Sequence, residues 1–278
     1  MRSHAAERTS DLVTIGAQHV RSLVELEVVG RPARALCAGD EAAPALVLVH
    51  GGWGGARMHW APVLERLARH HRVIAPDLPG LGWVETAPLP SVAAYAAWLV
   101  ALAHAMGVTR ARWVGNSFGA SVVASVAGRH HERVSGVAYV NGFPMPATPL
   151  LLRRLGQTRP ARALMRAMVR RIYREASIAR GFASPARIPA SLREAMADWP
   201  LIVPRYADIL VAGDGPPPPR TPPLLLFGAA DHLPGTSRRE AEHLAARTRG
   251  ASLVLIEDAG HFPQLEQPEA FVDALERW

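Results

Sequence analysis

The segment that most constrains this chain is Gly115-Asn116-Ser117-Phe118-Gly119, set between Ala111-Arg112-Trp113-Val114 and the small, β-branched stretch from Ala120 to Gly128. The first flank reads as a buried strand and the second as a helix. A serine between two glycines at such a turn takes strained backbone angles that lift its hydroxyl clear of the sheet. Side chains at the glycine positions would collide with the crowded strand and helix.

The rest of the chain repeats the strand-helix alternation around this junction. Leu23 to Val29 and Arg34 to Cys37 read as two short strands, and Ala45 to Val49 as an apolar strand ending in His50-Gly51-Gly52. Pro62 to His70 reads as a helix, Arg72 to Asp77 as a strand, and Val92 to Met106 as a helix capped by Gly107. Val134 to Val140 is another strand. The alternation then stops and resumes at Leu224 to Phe227, followed by a helix from Ser237 to Thr248, the strand Ala251 to Ile256 and a helix from Pro268 to Trp278.

Apolar strands alternating with helices predict an α/β fold with a mostly parallel, twisted sheet covered on both faces. Residues 23–141 and 223–278 are expected to form that core, 142–222 an inserted helical cap, and 1–22 an N-terminal tail. A proline-rich stretch, Pro216 to Pro219 with Pro222-Pro223, makes a stiff exit from the cap.

Composition narrows the function classes. No run of about 18 apolar residues is present, so no membrane span is expected. Cys37 is the single cysteine and cannot form an internal disulfide, which fits a reducing, cytoplasmic setting. The first residues lack the apolar stretch of a secretory signal. Net charge is +7 and every basic side chain is arginine. There is no aromatic-interleaved basic stripe and no zinc spacing, so neither nucleic acid nor a metal is an expected partner. The pairs His70-His71 and His130-His131 fall at helix ends, where exposure is expected.

A serine hydroxyl needs a base, and the base needs an orienting acid. Phe227-Gly228-Ala229-Ala230-Asp231 places a carboxylate just past one strand, and Asp258-Ala259-Gly260-His261-Phe262 places a histidine just past the last. Active sites of open parallel sheets form at these strand ends. Asp258 is the alternative acid.

Five stretches together resemble the α/β-hydrolase superfamily. They are His50-Gly51-Gly52-Trp53, Asp77-Leu78-Pro79-Gly80-Leu81-Gly82, Gly115 to Gly119, Gly228 to Pro234, and Gly260 to Pro268. The resemblance implies that Ser117 is the nucleophile, His261 the base and Asp231 the acid. It also implies an oxyanion hole from the backbone N–H of Phe118 and of Gly52, with Trp53 as second choice. No cofactor is implied. Asp77 is expected to shape the Pro79-Gly80 turn.

Expected substrate-binding residues are Asn116, Trp83, His50, Phe143, Met165 and Met168. His50 has a second reading, which comes ahead of a proton donor: a structural brace for the oxyanion loop. Asn116 with Phe118 is similar to the elbow of hydrolases that cleave carbon–carbon bonds in vinylogous diketones. In the cap, Ala161 to Arg174 is amphipathic, with Leu164, Met165, Met168, Val169 and Ile172 on one face and arginines every four residues on another. The expectation is that the apolar face packs inward and the arginines are solvated.

These readings predict a serine hydrolase that cleaves a carboxylic ester, lactone or thioester of a hydrophobic small molecule through an acyl-enzyme. The substrate could carry a carboxylate or a carrier. A carbon–carbon bond hydrolase, an acyl transferase or macrocyclising thioesterase, a nonhydrolytic cyclase and a non-catalytic ligand binder are the alternatives.

Overall fold

The computed structural model describes residues 8–9 and 22–278. Nine strands form one sheet in the order β1-β2-β3-β5-β4-β6-β7-β8-β9. The strands are β1 (Arg8–Thr9), β2 (Ser22–Val28), β3 (Arg31–Ala38), β4 (Ala45–Val49), β5 (Arg72–Pro76), β6 (Ala111–Asn116), β7 (Val134–Val140), β8 (Leu224–Gly228) and β9 (Ser252–Ile256). From β5 through β9 all pairs are parallel, whereas β1, β2 and β3 join the β5 edge antiparallel. The tail expected over 1–22 lies outside the described residues except for β1, which pairs with β2, and Ser22, which begins β2. This pairing satisfies backbone groups that an open sheet edge would leave unpartnered.

The helices are α1 (Ala56–Leu67), α2 (Val92–Ala105), α3 (Phe118–Arg129), α4 (Leu150–Gly156), α5 (Arg159–Ile172), α6 (Glu175–Arg180), α7 (Ala190–Ala195), α8 (Trp199–Ala212), α9 (Arg238–Arg247), α10 (Pro263–Glu266) and α11 (Pro268–Glu276). Strand residues alternate between two cores, as a sheet buried on both faces requires. Val47, Val49, Trp113 and Phe227 point to the face covered by α2 and α3. Leu46, Leu48, Val114 and Leu226 point to the face covered by α1 and α11. Helices α4 to α8 form an insertion between β7 and β8.

Two local departures have physical causes. Helix α1 starts six residues before Pro62 and carries that proline inside it. Its first N–H, from Ala56, donates to Asp77 Oδ1 at 2.7 Å, and Arg34 Nε holds Asp77 Oδ2 at 2.6 Å. The start is therefore set by a side chain from the loop after β5. His71 is buried rather than exposed, because its Nε2 meets the Glu276 carboxylate of α11 at 3.1 Å.

Candidate active site

Four loops at the carboxyl ends of parallel strands converge on one place. Ser117 follows β6, Asn141 follows β7, Asp231 follows β8 and His261 follows β9. The backbone of Ser117 has φ 55° and ψ −117°, a conformation costing roughly 1–3 kcal/mol for a non-glycine residue. The surrounding contacts enforce it. A Cβ on Gly115 would sit 2.2 Å from the Gly119 carbonyl oxygen, and one on Gly119 would sit 2.3 Å from that of Val49. Every residue of α3 from Phe118 to Ala127 is buried, so the helix presses its small side chains directly onto the sheet.

His261 Nδ1 lies 2.8 Å from Asp231 Oδ2, and the Asp231 side chain is wholly buried. The ionised carboxylate accepts, so Nδ1 carries the proton and Nε2 keeps a lone pair. Two further donors hold the carboxylate. Asn141 Nδ2 donates to Oδ2 at 2.9 Å and the Leu233 N–H donates to Oδ1 at 2.9 Å. Asn141 is itself fixed by the Gly228 N–H, which donates to its Oδ1 at 2.9 Å. Asn141 escaped the sequence reading, although a polar residue at the end of an apolar strand was the available signal. Asp258, the alternative acid, is exposed and paired with Arg187 at 2.6 Å.

Ser117 and His261 line one cavity of about 610 Å³, together with Gly52, Trp53 and Phe118. Phe118 opens α3, so its N–H has no intrahelical acceptor and is available to a ligand. The Gly52 carbonyl accepts from the Tyr173 hydroxyl at 2.8 Å, which ties the insertion to this loop. A Cβ at Gly52 would come 2.5 Å from that hydroxyl, so a larger residue there would displace the Tyr173 side chain. Phe143 also lines the cavity, as do Arg171, Arg174 and Arg180 from the insertion. Among the described residues no group of three or more His, Cys, Asp or Glu side chains is arranged to hold a metal ion.

Five expected substrate contacts fall elsewhere. Asn116 is fully buried and its Nδ2 donates to the carbonyls of Val140 at 3.1 Å and His261 at 3.0 Å. It lies outside the cavity lining and clamps the His261 loop to the sheet. Trp83 lies under the Arg34 guanidinium, 4.7 Å from it, and packs its own loop. His50 is wholly buried, with Nδ1 donating to the Gly51 carbonyl at 2.7 Å and Nε2 accepting the Leu78 N–H at 2.8 Å. It therefore braces the loop, the second of its two readings. Met165 packs against the core, and Met168 is 53% exposed; neither reaches the cavity.

The reason lies in the orientation of α5. Arg162 and Arg166 turn toward α8, where Asp208 pairs with them at 3.9 and 3.0 Å. Val169 and Tyr173 are buried, while Leu164, Met168 and Ile172 face outward. The expected polarity of this helix is thus corrected: two of its arginines are held within the fold and much of its apolar face is solvated.

His59 is a buried residue of the cavity lining that no sequence motif marks. Its Nε2–H donates to the Trp53 carbonyl at 2.8 Å. Burial holds its pKa well below 6.5, and burial also lowers that of His50. Both rings therefore stay neutral in the folded state where unfolded histidine takes up a proton. Below about pH 6.5 the unfolded chain binds more protons, so stability falls as pH drops, by at most about 1.4 kcal/mol per pH unit per ring. We expect Tm to be flat above about pH 7, to fall below about pH 6.5, and to fall less steeply in His59→Gln. Calorimetry across this range checks it, and a Tm that rises toward about pH 5 contradicts it.

Comparison with known sequences agrees with the geometry. A sequence model of the alpha/beta hydrolase family matches residues 46–274, and the chain belongs to that family. It is 26% identical over 224 residues to a 2-hydroxymuconate semialdehyde hydrolase of Pseudomonas putida, covering 77% of this chain and 78% of that protein. Among solved structures it resembles the 2-hydroxy-6-oxo-6-phenylhexa-2,4-dienoate hydrolase of Rhodococcus sp. strain RHA1, with TM-score 0.66 and 24% identity over 92% of this chain and 98% of that one. An esterase from Thermogutta terrifontis superposes with TM-score 0.69 and 24% identity, covering 92% of this chain and 97% of that one. The family and these hydrolase relatives support a hydrolase. No helix among the described residues is long and apolar enough to cross a membrane.

Proposed function

We propose that this chain is a serine hydrolase that cleaves a hydrophobic carboxylic ester, lactone or thioester through an acyl-enzyme. The observation that carries this reading is the 2.8 Å His261–Asp231 pair, with His261 sharing a cavity with a strained Ser117. Ser117 Oγ attacks the carbonyl carbon while His261 Nε2 takes its proton. The tetrahedral oxyanion is held by the N–H of Phe118 and of Gly52 or Trp53, each donor contributing roughly 3 kcal/mol. Collapse breaks the bond to the leaving oxygen or sulfur, which receives the proton from His261. Water, deprotonated by His261, then attacks the acyl carbonyl and releases the acid and free Ser117.

The insertion at 142–222 acts as the cap over this site. Its Arg171, Arg174 and Arg180, set in a lining that is mostly apolar and includes Phe143, suit an acyl chain carrying a carboxylate. A second reading is a carbon–carbon bond hydrolase, favoured by the dienoate and semialdehyde hydrolases among its relatives. A panel of aryl esters, lactones, acyl thioesters and dienoic diketone acids tests both. Turnover of an ester, lactone or thioester, enhanced by an acyl carboxylate, supports the first. Turnover of the diketone acids alone selects the second, and turnover of none counts against hydrolysis.

A further inference from the structure

We propose that the outer face of α4 and α5 docks on an anionic lipid bilayer, with the cavity mouth at the docked edge. Leu150, Leu151, Leu155, Leu164, Met168 and Ile172 lie on these two helices and are 45–69% exposed. In α5 the three recur every four residues, which aligns them as one stripe. The pairing of Arg162 and Arg166 with Asp208 fixes α5 so that this stripe faces outward.

Charge identifies the occupant. Residues 150–174 contain eight arginines and no acidic residue. Residues 142–222 hold 13 arginines against 5 acidic side chains, whereas the remainder of the chain holds 18 against 19. The insertion therefore carries the chain's entire positive excess. Arg154, Arg159, Arg170, Arg171 and Arg174 are exposed around the apolar side chains. Long aliphatic side chains among arginines, without acids, make a surface suited to an anionic bilayer interface. A second copy pairing through the same face would set like charges against each other.

The stripe leads to the site. Ile172 and Arg171 belong both to this face and to the cavity lining. A greasy substrate would then pass from the bilayer into the cavity without crossing open water. The docking itself does not rest on the hydrolase reading.

The test is co-sedimentation of the full chain with vesicles of phosphatidylcholine alone and of phosphatidylcholine mixed equally with phosphatidylglycerol. We expect at least about tenfold more binding to the anionic vesicles, weakened by about 0.5 M salt. The double variants Leu151→Asp/Leu164→Asp and Arg159→Gln/Arg170→Gln are each expected to reduce it about tenfold while leaving turnover of a water-soluble substrate unchanged. Equal partition to both vesicle types, or binding that neither variant weakens, overturns the proposal. So does a dimer that Leu151→Asp/Leu164→Asp dissolves in a chain that ignores vesicles.

Discussion

Replacing Ser117 with alanine is expected to lower turnover by about 10,000-fold or more while leaving the fold and Tm unchanged. The substitution removes one hydroxyl and keeps the Cβ, so the strained turn stays as its neighbours impose it. What remains is the cavity and the backbone donors, which can still bind and polarise a carbonyl without supplying a nucleophile. KM should therefore change little and kcat should carry the loss. Steady-state kinetics beside circular dichroism separate this from misfolding. A folded Ser117→Ala protein within about tenfold of wild-type turnover would remove Ser117 from the mechanism.

The second large effect belongs to Asp231→Asn, for which we expect a loss of about 10,000-fold in kcat with little structural change. Asp231 accepts the Nδ1 proton of His261 in a wholly buried setting. An amide nitrogen at that position donates instead, which places the ring proton on Nε2 and blocks the lone pair needed for Ser117. Oδ1 is held by the Leu233 N–H, and that carbonyl-like acceptor can remain in the amide. With its nitrogen at the Oδ2 position the amide faces His261 and also meets the Asn141 Nδ2 donor, so that hydrogen bond is lost as well. Asp258→Asn serves as the control: this carboxylate is exposed and occupied by Arg187, so turnover should stay within about twofold. Equal effects of the two variants would contradict the assignment of the acid.

The layout of the sheet was legible because strand and helix each leave a strong periodic trace. Apolar runs such as Ala45 to Val49 and Leu224 to Phe227 announce strands buried on both faces. The placement of Ser117, Asp231 and His261 at three strand ends follows from those runs and from local turn residues. Other features depend on contacts between residues distant in sequence. Asp77 sets the start of α1 across 21 positions. Asp208 sets the rotation of α5 across 42. Amphipathicity reveals that a helix has two faces, but here a remote carboxylate decided which one the fold covers.

The same distinction separates the pocket residues. Asn116 and His50 flank the site in sequence, which made them plausible substrate contacts. The Asn116 amide nitrogen and both ring nitrogens of His50 are instead committed to backbone partners. Polar groups that the fold has already satisfied have less capacity left for a ligand. Asn141 is the converse case: it reaches Asp231 and Gly228 across strands, and only its place at the end of an apolar strand marks it in the sequence.

The most direct test of the central claim is intact-mass labelling with a fluorophosphonate, which reacts with serines activated by a neighbouring base. We expect one adduct per wild-type chain, located on Ser117, and none in Ser117→Ala. An adduct on another residue, or an unlabelled wild type that is folded and open to the probe, would contradict it.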